Sequence, residues 1–209
     1  MKALLRAVLV LAVLTALIGT IAAYSIARRG LSTRVEPSRL ETQIARTMRR
    51  LATPAEVRGK KNPVPLTKAI VQAGLEHFAD HCAVCHANDG SGDTTMGRNL
   101  YPRAPDMRAE GTQSLSDGEI FSIIENGIRL TGMPAWGDGN PEGEQVGWHL
   151  VHFIRHLPRL TPDEIAQMEA LNPKSPAEWQ ADEEARRFLE GGESQPAPKP
   201  SAERKPHRH

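Results

Sequence analysis

The five residues Cys82-Ala83-Val84-Cys85-His86 decide how the rest of this sequence is interpreted. The chain has 2 cysteines, and both lie in this stretch. A multi-bridge disulfide framework and a four-cysteine zinc site each need more cysteines than that. The two thiols must therefore be interpreted together, and with the imidazole that follows them.

Three chemistries use two cysteines that are separated by two residues. A thioredoxin-like redox pair needs a preceding strand and a βαβ unit, and a zinc site needs two more ligands. The pattern before Cys82 is helical, and there is no second cysteine pair. Attachment of haem c uses the whole motif, because both thiols can add to haem vinyl groups and the next imidazole then reaches the iron. We expect one covalent haem c, held by Cys82 and Cys85, with His86 as an iron ligand.

The folded domain around this motif is predicted to be helical. The Asn-Pro-Val-Pro sequence at residues 62–65 marks its start near residue 66. Capping residues predict helices from Thr67 to about Cys82, from Ser116 to Ile128, and from about Glu144 to Leu157. Gly- and Pro-rich stretches at 90–105 and 132–143 predict loops. No strand-like alternation exceeds a few residues, so the expected class is all-α, with the haem domain at residues 66–160.

Residues 1–29 have the length of a membrane anchor. Residues 7–27 are uncharged and mostly aliphatic, and about 20 such residues in a helix cross the hydrocarbon core. A signal peptide needs an apolar region of only about 7–15 residues, so length favours a retained anchor. The small residues near Ser25 and Ala27 leave cleavage open.

Residues 30–65 are predicted to form a basic stalk. Residues 28–61 contain ten Lys and Arg and three Glu. Ser38 and Glu41 have capping-box spacing, and apolar residues recur at helical spacing, which predicts a short amphipathic helix. Its apolar residues are Leu40, Ile44, Met48 and Leu51. The stalk is either a solvated spacer or a segment that contacts anionic lipid head groups or an acidic partner.

The C-terminal part is predicted to be an acidic helical extension followed by a disordered tail. Thr161 and Ser175 each precede a Pro and lie three residues before a Glu, which is typical of helix starts. Residues 161–193 carry nine acidic and three basic side chains. We expect the extension to span residues 161–190, and the Pro-, Ser- and Lys-rich residues 191–209 to be disordered.

Residues 62–160 resemble the class I cytochrome c family. The resemblance rests on the Cys-x-x-Cys-His motif, on Gly74 and Phe78, and on Leu150 and Phe153, with which they pack crosswise in this family. It also rests on Asn126-Gly127-Ile128 and Thr131-Gly132-Met133-Pro134-Ala135-Trp136, which are similar to the family's distal methionine loop. It implies a cytochrome c fold, as in small single-haem carriers attached to membranes and in cytochrome subunits of dehydrogenases and terminal oxidases.

Met133 is the expected second iron ligand, because it lies in a Gly/Pro loop before the last core helix, where this family has its thioether ligand. Met96 is the alternative; otherwise we expect Met96 and Met107 to be core fillers. A methionine ligand favours the reduced state and raises the reduction potential relative to a second histidine.

Other residues are expected around the haem. By resemblance, residues 100–106 pass its proximal side, so a carbonyl near Pro102 or Pro105 is expected to accept a hydrogen bond from His86. Haem propionates need buried donors or cations. The candidates are Arg98, Tyr101, Arg103 and Trp136. A cluster on the last helix, for which no carboxylate partner is evident, is expected to be a partly exposed flank rather than a metal site; it comprises His149, His152 and His156.

The charges do not settle the orientation of the anchor. Lys2 and Arg6 precede the uncharged residues 7–27, and seven arginines follow them before residue 51, so the positive-inside rule does not clearly place the body outside. The resemblance implies that haem c is attached outside. We therefore expect a bacterial cytoplasmic membrane with the haem domain facing the periplasm.

The expected function is single-electron transfer without catalytic residues or a small-molecule substrate. The formal net charge of +1 does not suggest a nucleic-acid binder. Expected partners are the membrane, through residues 1–29, and redox proteins such as a dehydrogenase, an oxidase or another cytochrome. The alternatives are a haem peroxidase or gas sensor whose methionine ligand dissociates, and the cytochrome subunit of a larger dehydrogenase or oxidase.

Overall fold

The computed structural model describes residues 2–30, 32–174 and 176–189. These residues form helices and connecting loops with no strand among them, which confirms the predicted all-α class. The chain divides into two compact units, residues 1–171 and residues 172–209. The predicted cap at Ser175 and the predicted disordered tail at 191–209 lie outside the described residues.

The N-terminal helix α1 spans Lys2–Arg29. Within the described ranges it is the one helix that is long and apolar enough to cross a bilayer, over Lys2–Ser25. Its apolar side chains are exposed along the whole span. A lipid environment would bury this surface, which water would leave exposed.

The predicted amphipathic helix of the stalk is α2, Arg39–Ala52. The Ser38 hydroxyl accepts a hydrogen bond from the Glu41 N–H at 3.2 Å, and the Glu41 carboxylate accepts one from the Ser38 N–H at 2.8 Å. This reciprocal capping box satisfies two amide groups that the first turn would otherwise leave without partners. The helix prediction is confirmed, and none of the residues of α2 is buried.

Packing against the domain begins before the predicted boundary at residue 66. Helix α3, Ala55–Gly59, lies so close to Gly118 that a Cβ there would overlap the Val57 carbonyl oxygen. The Lys60 ammonium lies 5.0 Å from the centre of the Phe121 ring, and the Asn62 amide donates to a backbone carbonyl at 2.9 Å. The end of the stalk is therefore part of the folded structure.

The core is built on the crossing of α4, Lys68–His77, and α9, Pro141–His156. A Cβ at Gly74 would lie 2.5 Å from the His149 carbonyl oxygen and 2.8 Å from the Phe153 Cβ. Phe78 packs on Phe153 with ring centres 5.1 Å apart, and both side chains are fully buried. The crosswise packing that the family resemblance implied is confirmed, and the Thr67 hydroxyl caps α4 as predicted.

The remaining helices connect and cover this crossing. After α4 the chain makes a π-helical turn, Phe78–Cys82, and a 3₁₀ turn, Leu157–Arg159, follows α9. Besides α9, five further α-helices follow in the first unit. They are α5, Ala83–His86; α6, Thr95–Asn99; α7, Glu110–Gln113; α8, Asp117–Asn126; and α10, Pro162–Leu171. Met168 of α10 is fully buried in the core, so α10 packs on the haem domain.

Three local predictions need correction. The stretch at 90–105, predicted as a loop, contains α6, because Thr94 caps it. Helix α8 ends at Asn126 and not at Ile128, because Gly127 adopts a φ of 63°. Helix α9 begins at Pro141, three residues before the predicted start, because the Asn140 side chain accepts a hydrogen bond from the Gly143 N–H at 2.7 Å.

In the second unit the described structure is α11, Pro176–Leu189. The Lys174 ammonium forms an ion pair with Asp182 and lies 5.6 Å from the centre of the Trp179 ring.

Replacement of Gly74 tests the crossing of α4 and α9. We expect Gly74→Ala to lower the free energy of unfolding by about 1–3 kcal/mol, because the added methyl group forces the two helices apart. Gly59→Ala is the control, since a Cβ there meets nothing within 4 Å. Urea unfolding of both variants gives the comparison, and equal midpoints would contradict the close crossing.

Candidate haem-binding site

The motif residues lie where α4 ends against the core. The π-helical turn carries Cys82, and α5 carries Cys85 and His86. Both cysteines are free thiols and half-buried. Of all polar and charged residues that the structure describes, His86 alone is buried, with 7% of its surface exposed. π-Helical turns are frequent at functional sites, and this one carries Cys82 at the start of the motif.

The loop after the motif wraps closely around it. The Gly92 N–H donates to the His86 carbonyl at 2.8 Å, and the Thr94 hydroxyl donates to the Val84 carbonyl at 2.8 Å. A Cβ at Gly97 would overlap the Cys85 carbonyl oxygen. These contacts satisfy carbonyl groups that the end of α5 leaves without helical partners.

Thr94 also caps α6, since its hydroxyl accepts a hydrogen bond from the Gly97 N–H at 2.8 Å. Thr94 is not among the residues that the sequence predicts for the site. The available signal was a threonine three residues before a glycine, a weak pattern for a helix start.

The environment of the motif keeps its groups neutral. Burial lowers the pKa of His86 to about 4, and the backbone carbonyl of Pro105 acts against this shift. Burial raises the pKa of Cys82 to about 12, with a further contribution from Cys85. A neutral imidazole is the form that coordinates a metal, whereas redox-active cysteine pairs have lowered thiol pKa values.

The Nδ1 atom of His86 is buried without a hydrogen bond of ordinary geometry. Of the two candidate carbonyls, Pro105 is the one that acts on the imidazole. An iron-bound histidine usually donates its second ring nitrogen to such a carbonyl.

Met133 lies in a loop that folds back on the end of α8. The Ile128 N–H donates to the Met133 carbonyl at 3.1 Å, and the Met133 N–H donates to the Thr131 hydroxyl at 3.1 Å. The Trp136 N–H donates to the Ile124 carbonyl at 3.0 Å. The loop thus has a defined conformation, with Met133 half-buried.

The two other candidate methionines differ from each other. Met107 packs against the core, as a core filler should. Met96 on α6 is 52% exposed, so its predicted core-filling role is wrong. The reason is that α6 turns this side chain to the surface, whereas Gly97, its neighbour, faces the motif.

The four predicted propionate-binding residues have other partners in the described structure. Arg98 forms an ion pair with Asp93, and Arg103 forms one with Glu36 at 3.3 Å. The Tyr101 hydroxyl donates to the Glu41 carboxylate at 2.9 Å, and this hydrogen bond is the main cause of the raised pKa of Tyr101. The Trp136 ring packs edge-on against His81 with centres 5.5 Å apart. Their role at the propionates stays a prediction.

A cavity of about 310 Å³ lies beside the motif and not at it. Its lining includes His77, Trp136, Glu125 and Asp138 but neither cysteine nor His86. Burial and two nearby acidic groups, Glu144 and Asp138, raise the pKa of Glu125, against the effect of Lys60. This surface beside Trp136 is therefore acidic.

The histidines of α9 lie in three different environments. The His152 ring donates to the Val64 carbonyl at 2.8 Å, and the Nε2 atom of His149 is buried without a hydrogen bond. His156 pairs with Glu164 at 2.8 Å, which corrects the expectation that no carboxylate partner was present. No group of three or more metal-ligating side chains occurs in the described parts of the chain.

The donor set fits a covalently held haem: two thiols three residues apart, a buried neutral imidazole directly after them, and a methionine on a separate ordered loop. With the crossing of α4 and α9, this set defines a class I c-type cytochrome domain. Residues 69–154 match the family model described as cytochrome c oxidase, cbb3-type, subunit III. A domain of this class carries covalently bound haem c with its iron.

The chain is accordingly a haem-based electron carrier or an oxidase subunit. The apolar helix α1 together with the cytochrome domain indicates membrane anchoring.

Replacement of Gly97 tests the packing of the loop on the motif. We expect Gly97→Ala to destabilise the holoprotein by about 1–3 kcal/mol, because the methyl group displaces the backbone around Cys85. Gly111→Ala is the matched control, since its Cβ would meet only the Arg46 guanidinium at 3.6 Å. Thermal unfolding, followed in the haem absorption, separates the variants. An unchanged midpoint for Gly97→Ala would contradict the close packing of α6 on α5.

Proposed function

We propose that this chain is a membrane-anchored mono-haem cytochrome that passes single electrons between redox proteins. The observation that carries the proposal is the buried, neutral His86 directly after two half-buried free thiols. The sequence contains one such motif, which supports a single haem.

In this proposal Cys82 and Cys85 would hold the haem through thioether bonds to its vinyl groups, and His86 and Met133 would be the ligands of its iron. The bound haem supplies an iron that changes between the ferrous and ferric states. The remaining contribution of the chain is to hold both ligands in place and to keep water away from His86. No catalytic residue is required.

The contact between His81 and Trp136 indicates where on the surface electrons are exchanged with a partner. His81 directly precedes Cys82, and its ring contacts that of Trp136, which is 42% exposed. We place the partner-binding surface here, next to the acidic groups that line the neighbouring cavity. A partner with basic residues would be steered to this surface. The partner would be a dehydrogenase, an oxidase or another cytochrome.

A second candidate is a cytochrome subunit of a terminal oxidase, and the match of residues 69–154 to an oxidase subunit family favours it. The two candidates share the haem chemistry and differ in whether the chain stays bound to a larger complex in mild detergent. In both, α1 remains in the bacterial cytoplasmic membrane and the haem domain faces the periplasm.

Removal of both thiols tests covalent attachment. We expect Cys82→Ala with Cys85→Ala to abolish the haem that migrates with the chain in denaturing electrophoresis, because no thioether can form. Val84→Ala is the control, since Val84 lies between the cysteines and is exposed. Peroxidase staining of the gel gives the result, and staining of the double variant would contradict attachment at this motif.

Replacement by leucine, at Met133 and separately at Met96, tests which of the two methionines is the iron ligand. We expect Met133→Leu to remove the weak absorption band of the methionine–iron bond in the oxidised protein and to open the reduced iron to carbon monoxide. Met96→Leu should leave both properties unchanged, because its side chain is at the surface. The opposite result would assign the ligand to Met96. Rapid binding of carbon monoxide by the unaltered protein would favour a gas-binding or peroxidase function instead.

A further inference from the structure

Helix α2 carries an apolar stripe on its exposed side. Leu40, Ile44, Met48 and Leu51 are between 51% and 80% exposed. Their spacing of four, four and three residues places them on one face of the helix. The opposite face carries arginines, including Arg39, Arg46 and Arg50. A helix with this division of residues is typical of a surface that binds a partner or a membrane.

The other side of α2 faces the haem domain. The Glu41 carboxylate accepts a hydrogen bond from Tyr101, and Glu36, just before the helix, pairs with Arg103. Thr42 and Arg49 are half-buried, whereas the residues of the stripe are exposed. The contacts of α2 with the domain therefore lie away from the apolar stripe, which stays exposed.

The position of α2 in the chain favours lipid as the occupant of the stripe. Helix α1 ends at Arg29 and α2 begins at Arg39, so residues 30–38 connect them. Nine residues span at most about 30 Å when fully extended, which keeps α2 near the surface of the bilayer that α1 crosses. Arg34 before α2, and Arg39 and Arg50 toward one edge of the polar face, complement anionic head groups, and their long side chains can reach the phosphates.

We propose that α2 lies in the head-group region of an anionic membrane, with Leu40, Ile44, Met48 and Leu51 in contact with lipid. The inference rests on the proposed function in one respect, which is that α1 remains in the membrane. Because Tyr101 and Arg103 join α2 to the loop that leads to Pro105, an interfacial α2 holds the proximal side of the haem site toward the bilayer. The haem domain is then oriented on the membrane rather than free to rotate on its tether.

The test uses full-length holoprotein, one copy per lipid nanodisc, with phosphatidylglycerol in the bilayer. An environment-sensitive fluorophore is attached at Ile44→Cys, at Arg46→Cys on the other side of α2, or at Leu11→Cys within α1. The native thiols are held by the haem and do not react. The measured quantity is the emission in brominated lipid divided by the emission in ordinary lipid. Energy transfer to the haem lowers both emissions by the same factor, so the ratio does not depend on it.

We expect brominated lipid to lower emission about twofold at position 44 and to leave position 46 nearly unchanged, since only the apolar face of an interfacial helix reaches the acyl boundary. Emission at position 11 should fall as well. Quenching at 11 without quenching at 44 overturns the inference and leaves the anchor intact. No quenching at 11 means that the anchor of the proposed function has failed.

A protein partner on the stripe would have a different signature. Position 44 would then be unquenched in nanodiscs but protected from a water-soluble maleimide in native membranes, and this result would overturn the lipid proposal. The haem absorption spectrum of each labelled sample is recorded with the fluorescence. It shows directly whether the haem domain of that variant is folded.

Discussion

The backbone of α4 lies against the backbone of α9 at Gly74, where even one methyl group would collide with the His149 carbonyl oxygen. This contact positions Phe78 on Phe153 and fixes the direction in which α4 enters the motif. The π-helical turn that follows inserts an extra residue into the helix. His86 is thereby buried while Cys82 and Cys85 keep partial exposure. The geometry of the site thus depends on two helices that are more than sixty residues apart in sequence.

Burial of a titratable ligand in an apolar core is costly unless the group is neutral or paired. His86 meets this condition as a neutral imidazole, with the Pro105 carbonyl as the polar group that acts on it. The Thr94 hydroxyl and the Gly92 N–H donate hydrogen bonds to carbonyl groups of α5, so backbone carbonyls around His86 also have partners. In the proposed site, such support would fix the orientation of the iron ligand.

The stalk and the loop at residues 100–106 are joined by direct contacts. Glu36 and Glu41, which are acidic residues in an otherwise basic segment, bind Arg103 and Tyr101. These contacts are exposed, and such ion pairs stabilise a fold by only about 0–1 kcal/mol each. They serve mainly to set the position of α2 relative to the haem domain, and a second contact to the same helix, through lipid, would reinforce that position.

The sequence by itself determined the elements whose causes are local. The apolar N-terminal segment and the caps at Ser38, Thr67 and Ser116 act over one continuous stretch or at most a few residues, and the structure has a helix at each of them. The crossing of α4 and α9 was predicted only from the family resemblance. The sequence around Gly74 does not by itself show which helix packs against it.

Only the tertiary structure showed that Met96 is exposed, that Thr94 contacts the motif, and that Tyr101 and Arg103 bind the carboxylates of the stalk. These outcomes depend on contacts between segments that are distant in the chain. The rotation of α6 and the path of the loop at 100–106 follow from which groups remain without partners after the core has packed, and no local pattern contains that information.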